Sequence, residues 1–166
     1  DLRPCNGSGG LDGGLGAVSG LGGLEVLDLS YNALEGDISA VENLTLLTDL
    51  ALNENFIGGN ISSVHNLSGL KFLGVGAYPR WPPSVLVGSL SEVSHLTNLT
   101  SLDIAGNNLS GDLSPLRNLT SMTLLDIAGS NDLSGDLSPL RDLTSMTALD
   151  IPGNNLSGSV APLLGI

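Results

Sequence analysis

Aliphatic residues recur along the chain with a regular period. The residues that open successive units are Leu21, Leu44, Leu67, Leu96, Leu119 and Leu143, with Ile166 completing the series. The spacings between them are 23, 23, 29, 23, 24 and 23 residues. Within one unit, Leu99, Leu102 and Ile104 approach the alternation of a short strand, and later aliphatic residues follow at helix-like intervals. The pattern predicts one strand and one returning arm in each unit.

A glycine recurs at one point of every unit, where the chain has to turn. The series is Gly36, Gly59, Gly88, Gly111, Gly135 and Gly158. A residue without Cβ suits a tight bend. The inward leucines of one unit cannot form a core alone, so the units must stack, with strands about 4.8 Å apart. The chain is therefore predicted to be a solenoid of about seven coils, mostly β and coil.

The repeat units carry a specific resemblance. LDIAGNNLSG and LDLSYNALEG resemble the core of leucine-rich repeats of the plant extracellular class, and DLSPLRNLT resembles the returning arm of bacterial internalin repeats. The resemblance covers about residues 11 to 166. It implies a curved, right-handed solenoid of the α/β repeat class, with a parallel sheet on the concave side. The convex side is expected to carry irregular or short-strand arms.

The repeat divides the chain into one degenerate region and six units. Residues 1–20 are predicted to form a degenerate N-terminal coil or a cap. The repeats are predicted at 21–43, 44–66, 67–95, 96–118, 119–142 and 143–166, with an insertion at 77–88 in the third. Because no polar capping sequence follows the last unit, we expect the native protein to continue or another chain to cover this end. Self-association through uncapped ends is therefore one predicted partnership.

Charge and composition exclude several function classes. The 166 residues include 5 basic and 17 acidic ones, for a formal charge of -12, so nucleic acid is not expected as a partner. Two histidines, His65 and His95, and one cysteine leave little material for a metal site. No nucleophile, general base and orienting group recur at a suitable spacing. We predict no enzyme, no cofactor and no metal centre.

One asparagine position recurs just after each strand. It is occupied by Asn32, Asn55, Asn107 and Asn154, and by Asn131 after one inserted residue. The family resemblance implies that this side chain points inward and bonds to backbone groups of adjacent coils. We therefore predict a structural asparagine ladder rather than a binding site.

The strand residues that flank the buried leucines are predicted to face the concave surface. The candidate ligand-binding residues there are Asp28, Asp49, Phe72, Asp103, Asp126 and Asp150. On successive coils, like charges lie roughly 5 Å apart, which is unfavourable unless they are solvated or neutralised. Three readings stay open: a solvated row that belongs to the repeat consensus, a site for a basic ligand, or a Ca²⁺ site.

The 29-residue unit contains the only large irregularity, AYPRWPPSVLVG. Its Tyr78, Arg80 and Trp81 are the side-chain types most enriched at binding hot spots, and its prolines lower the entropy cost of ordering the loop. We predict a second ligand-binding element here. The alternative is that Trp81 folds back and fills a gap between coils.

Sequons for N-glycosylation are frequent, and they favour an extracellular or cell-surface location. The acceptor asparagines are Asn6, Asn43, Asn60, Asn66, Asn98, Asn108, Asn118 and Asn155. In extracellular relatives a terminal cysteine commonly pairs within a cap, so Cys5 is a disulfide candidate, with a free thiol as the alternative.

Recognition of a protein or peptide ligand outside the cell is the function that these features favour. The chain would then form part of a receptor-like, adhesion or matrix glycoprotein, and its acidic face would suit a basic ligand. Three alternatives remain: a surface-coat protein that assembles end to end, a secreted inhibitor of a cell-wall enzyme, and an ice-binding protein. The last rests on a repeated serine row, whose other interpretation is hydrogen bonding within the turns. The row consists of Ser39, Ser62, Ser91, Ser114 and Ser138.

Overall fold

A computed structural model describes residues 10–77, 85–129 and 132–165 of the chain. In the described part, each full coil contains a short strand, a second strand and a 3-10 segment. The 3-10 segments are Leu15–Val18, Ile38–Val41, Ile61–Val64, Leu90–Val93, Ser114–Asn118, Ser138–Leu140 and Ala161–Gly165. None of the helices in these ranges is long and apolar enough to cross a membrane.

The first strands of the coils form a parallel sheet of six strands, which we call the first sheet. Its members are β2 (Val26–Asp28), β4 (Asp49–Ala51), β6 (Phe72–Gly74), β8 (Ser101–Asp103), β10 (Leu124–Asp126) and β12 (Ala148–Asp150). Residues at the same position of the repeat pair directly, so that Leu27 lies beside Leu50 and Leu102 beside Leu125. This is the parallel concave sheet of a curved solenoid, and the predicted fold class is confirmed.

The returning arms form a second parallel sheet of seven strands. Its members are β1 (Asp12–Gly14), β3 (Ala33–Asp37), β5 (Phe56–Asn60), β7 (Leu86–Ser89), β9 (Asn108–Asp112), β11 (Asp132–Gly135) and β13 (Asn155–Leu156). The register is staggered here, since Gly36 pairs with Ile57 and not with Gly59, its equivalent in the repeat. Sequence analysis predicts irregular or short-strand arms, and the structure joins those strands into one sheet.

Columns of stacked aliphatic side chains form the core between the two sheets and the 3-10 segments. Leu44, Leu67, Leu96, Leu119 and Leu143 are all fully buried. Their equivalent Leu21, at the N-terminal end of the described coils, is 50% exposed. Burial of each leucine therefore depends on the neighbouring coil, as expected for a solenoid.

Asparagines at the end of the first-sheet strands connect the coils through their side-chain amides. Asn107 is 1% exposed; its Nδ2 donates to Val75 O at 2.9 Å and to Ile104 O at 3.0 Å, and its Oδ1 accepts from Leu86 N at 2.9 Å. Asn55 makes the same three types of contact, with Leu29 O and Leu34 N of the preceding coil and with Leu52 O of its own coil. The Asn107 amide is buried, so it satisfies backbone atoms that water cannot reach. Asn131 lies outside the described residues.

The recurring glycine in the second sheet sits over a capping side chain of the preceding coil. Gly59 has φ +107°, and a Cβ added to it would lie 2.6 Å from Asp37 Cγ. Asp37 in turn accepts the Ser39 amide at 2.8 Å and caps the 3-10 segment that begins at Ile38. The repeated serine thus lies at a capped turn, as its hydrogen-bonding interpretation expects. Glycine is required both by its backbone angle and by this close approach.

Replacing Asn107 by alanine should destabilise the fold by about 2 to 4 kcal/mol, because it leaves the buried Leu86 N–H and Val75 carbonyl unpaired. Urea unfolding of unglycosylated protein gives the free energy. The control is Asn118→Ala at the exposed end of a 3-10 segment, which should cost within about 0.5 kcal/mol. Equal losses for the two variants would contradict a role of the Asn107 amide in joining the coils.

Candidate binding face

The outward side of the first sheet is a continuous surface, which we call the acidic face. It consists of the first and third residue of each strand and the residue two positions after the strand. The six candidates from the sequence, Asp28, Asp49, Phe72, Asp103, Asp126 and Asp150, all lie at these outward positions. The middle residue of each strand is a leucine that points to the core. Strand alternation therefore places the candidates together, whatever their role.

Four of the aspartates have a local hydrogen-bond partner that the sequence did not reveal: Asp49 accepts from the Thr48 hydroxyl at 2.6 Å, and three others accept a backbone amide two residues on. Oδ1 of Asp28 accepts the Ser30 amide at 3.0 Å, Asp103 the Ala105 amide at 3.2 Å, and Asp126 the Ala128 amide at 3.0 Å. Each bond uses one carboxylate oxygen and fixes the turn after the strand. Asp150 cannot repeat it, because the residue two positions on is Pro152, which has no N–H.

The acidic face is electrostatically unfavourable around Asp103. Burial raises the pKa of the Asp103 carboxyl, and the charge of Asp126 on the next coil raises this pKa further. The hydrogen bond from the Ala105 amide lowers the pKa and so offsets part of the rise. Burial and the charge of Asp103 raise the pKa of Glu54 in the same way. Glu54 is not among the sequence candidates because it follows its strand and adopts a left-handed backbone angle, φ +59°. The pair therefore concentrates negative charge that a bound cation would relieve.

Two glycines of the third coil lie beneath side chains of the acidic face. Gly74 and Gly76 are both buried. A Cβ added to Gly74 would lie 2.8 Å from both Asn53 Nδ2 and Phe72 Cε1, and one added to Gly76 would collide with the Asp103 carboxylate. The Phe72 ring, the Asn53 amide and the Asp103 carboxylate therefore occupy the space that larger side chains would need at these two positions.

The insertion begins just after these glycines. Ala77 N donates to Ala105 O at 2.8 Å, and any Cβ on Gly106 would collide with the Ala77 carbonyl. The C-terminal part of the predicted insertion, from Leu86, belongs to β7 in the second sheet. Tyr78, Arg80 and Trp81 lie outside the described residues, so their predicted role in binding stays a prediction.

The sequon asparagines lie away from the acidic face. Those that the structure describes are all exposed: Asn43, Asn60, Asn66, Asn98, Asn108, Asn118 and Asn155. They belong to the second sheet or to the turns at and after the 3-10 segments. Asn6 and Cys5 lie outside the described residues. Glycans at the described positions would leave the acidic face uncovered.

The two histidines meet on the arm side, although they are 30 residues apart. Their ring centroids are 4.3 Å apart, and His65 Nδ1 lies 3.5 Å from Glu92 Oε2. His65 is exposed, whereas His95 is partly buried and its Nε2 is buried without a hydrogen-bond partner. Within the described ranges, no group of three or more His, Cys, Asp or Glu is arranged to hold a metal ion. Neither this pair nor the aspartate row thus forms a cation cage.

Comparison with known proteins agrees with this architecture. The Leucine Rich Repeat family model matches residues 23–44 and 98–119. No curated protein matches the chain in sequence. One similar solved structure is the leucine-rich repeat ectodomain of the Arabidopsis thaliana receptor kinase GASSHO1/SCHENGEN3, in complex with CASPARIAN STRIP INTEGRITY FACTOR 2. The two sequences are 31% identical over 94% of this chain and 19% of that one, and the TM-score is 0.79.

Two other solved structures show the same likeness. The ectodomain of the Arabidopsis receptor kinase HAESA, in complex with an IDA peptide hormone, is 30% identical over 91% of this chain and 26% of that one, with a TM-score of 0.75. Internalin C2 of Listeria monocytogenes is 26% identical over 93% of this chain and 72% of that one, with a TM-score of 0.56. The chain spans only about a fifth to a quarter of the two receptor ectodomains.

The stacked parallel strands define a solenoid of short coils. The chain is a leucine-rich repeat protein, as its LDIAGNNLSG-type units indicate.

Opposite pH effects are expected from two Asp→Asn substitutions. At pH 7, Asp103→Asn should raise the melting temperature, since it removes a charge that burial and Asp126 disfavour and keeps an acceptor for Ala105 N. A raised carboxyl pKa in the folded state means that this penalty fades as the pH falls and Asp103 takes up a proton. The gain should therefore shrink on acidification, as followed by melting at pH 7, 6, 5 and 4.

Asp136→Asn is the matched control, because the bonds to Ser138 lower the pKa of Asp136. A lowered pKa contributes stability above the unfolded value, and that stability is lost as the pH falls through the folded pKa. This variant should melt lower than wild type at pH 7 and approach it in acid. Shifts of the same sign in both variants would contradict the electrostatic description of the face.

Proposed function

We propose that the chain is an extracellular recognition module that binds a protein or peptide ligand across the acidic face. It would form part of a receptor-like, adhesion or matrix glycoprotein. The observation that carries the proposal is a surface continuous over six strands that bears carboxylates and apolar side chains and no sequon. The solved receptor ectodomains to which the chain is similar add support, since one was solved with CASPARIAN STRIP INTEGRITY FACTOR 2 and another with an IDA peptide hormone ligand.

The acidic face carries exposed apolar side chains as well as carboxylates, which suits a binding surface better than a merely solvated row of charges. Val26 and Leu124 are 59% and 37% exposed at the outward positions, and Phe72 lies between their strands. Apolar area supplies most of the binding energy at interfaces, and surrounding charges supply selectivity and association rate. The described outward positions hold no Lys, Arg or His, so we expect the ligand to be basic. Tyr78, Arg80 and Trp81 of the insertion would extend the contact.

Face variants test this proposal with ligands selected from an unbiased peptide display library. A double variant, Ser101→Arg with Leu124→Arg, places two large cations on the face and should weaken binding at least about ten-fold by clash and repulsion. The control, Val87→Arg with Ser110→Arg, places the same charges on exposed positions of the second sheet and should leave binding unchanged. Trp81→Ala is measured beside them. Loss of binding in the control but not in the face variant would refute the proposed surface.

Secretion from an insect or plant cell should yield a glycoprotein with sugars at the exposed sequons. A glycosidase that removes N-glycans should increase the gel mobility of the protein, and the resulting Asn→Asp conversions can be located by mass spectrometry. We expect them among the seven described acceptors and not on the acidic face. A secreted product without any mobility shift would remove the support that the sequons give to an extracellular location.

A further inference from the structure

We propose that N-glycans on Asn60 and Asn108 lie over an apolar strip of the second sheet and stabilise the coils that carry it. The apolar strip consists of Phe56, Val85 and Val87. The inference rests on the proposed extracellular location and goes beyond it, because it gives two of the sequons a structural role. It depends on the register of the strands in the second sheet.

The apolar strip lies on two adjacent strands of the second sheet, between strands that carry charged side chains. Phe56 in β5 is 38% exposed, Val87 in β7 is 41% exposed, and Val85, just before β7, is 36% exposed. The flanking strands β3 and β9 end in the exposed carboxylates Asp37 and Asp112. Exposed apolar area is unfavourable in water, so a group that covers the strip would stabilise the fold.

A sequon asparagine flanks Val87 on each side. Asn60 of β5 pairs with Val87 on one side, and Asn108 of β9 pairs with it on the other. All three residues are exposed, whereas the adjoining Leu86 and Leu109 are buried, so the three paired side chains point outward together. Strands in a sheet are about 4.8 Å apart, so each sugar would start one strand away from Val87.

The Asn60 side chain can carry a sugar and keep its structural contacts. Its Oδ1 accepts the Ser62 amide at 2.9 Å and caps the 3-10 segment that begins at Ile61. The same oxygen lies over Gly88, where an added Cβ would approach it to 2.7 Å. The sugar bonds to Nδ2 instead: its anomeric carbon leaves a lipid-linked pyrophosphate, and Nδ2 loses one of its two protons to a base. Glycosylation therefore leaves the cap in place.

An N-linked sugar suits this strip because a pyranose ring has C–H faces as well as hydroxyl groups. The C–H faces can pack on Val87 and on the Phe56 ring, which lies on the same strand as Asn60, while the hydroxyl groups stay in water. Attachment at Asn60 and Asn108 fixes the position of each sugar, so little entropy is lost when it packs. Two glycans on either side of Val87 also leave no room for a protein to dock there, which makes the glycans the occupant.

Asn155 provides a matched comparison in the same sheet. It is the first residue of β13, as Asn108 is of β9. Its sequon serine, Ser157, donates its hydroxyl to a glycine carbonyl of the preceding coil at 3.3 Å, as Ser110 does. Asn155 pairs with Ser134, however, and not with a valine. A sugar on Asn155 therefore starts beside a polar side chain and should add little stability.

Melting curves of the full chain, secreted with its glycans and made without them in bacteria, test the proposal. Mass spectrometry gives the occupancy of each sequon. The glycans should raise the melting temperature of the wild type by at least about 3 °C. Most of this gain should be lost in Ser62→Ala with Ser110→Ala, which removes both sequons but keeps both asparagines, and in Val87→Ser, which keeps both sequons. Ser157→Ala should retain the gain. Because each variant is compared with its own unglycosylated form, effects of the substitutions on the bare fold cancel.

Each other outcome overturns the proposal. An equal gain in all variants, or no gain in the wild type, would mean that the glycans do not act through the apolar strip. A dimer of the glycosylated chain that Val87→Ser disperses in sedimentation would make a second copy the occupant. Sugars at other sequons but not at Asn60 and Asn108 would refute the inference and leave the proposed function intact. A secreted chain without sugar at any sequon would refute it and also remove the support that the sequons give to an extracellular location.

Discussion

Stacking of one coil on the next is the constraint on which the rest of the structure depends. No coil encloses a core by itself: Leu44 and Leu67, with a described coil on either side, are fully buried, whereas Leu21 at the N-terminal end of the described coils is 50% exposed. The same stacking satisfies the backbone, since Asn107 bonds to its own coil and to the coil before it. It also decides where glycine is needed, because Gly59 must pass over the capping carboxylate of Asp37. The burial of the leucines, the hydrogen bonding of the backbone and the geometry of the turns therefore all depend on how one coil stacks on the next.

This constraint also creates the candidate binding surface. Equivalent residues of successive coils pair directly in the first sheet, so a position that recurs in the repeat forms a row of side chains on the surface. Asp103, Asp126 and Asp150 are neighbours for this reason. Burial raises the pKa of Asp103, and the charge of Asp126 on the next coil raises it further. Asp103 and Asp126 each use one carboxylate oxygen to accept a turn hydrogen bond, from the amides of Ala105 and Ala128. These hydrogen bonds explain why aspartate is tolerated there without excluding a ligand.

Most of the fold could be predicted from the sequence, because a period of about 23 residues is a long-range signal repeated in several copies. The outward positions of the first sheet followed from strand alternation alone. The second sheet was harder to foresee: its strands are staggered between coils, and residues such as Gly58 and Ser110 have low strand propensity, so stacking and not local sequence makes them strands. Glu54 joins the acidic cluster through a left-handed turn, and the meeting of His65 with His95 depends on the register of the arms. Neither has a local signal in the sequence.

Carboxyl footprinting can determine whether the outward face of the first sheet receives the ligand. Carbodiimide labelling of the chain, with and without a library-selected ligand, compares two sets of three aspartates on opposite sides of the solenoid. We expect the ligand to protect Asp103, Asp126 and Asp150 and to leave labelling of Asp37, Asp112 and Asp136 unchanged. Protection of the second set, with the first set labelled as in the free protein, would contradict this expectation.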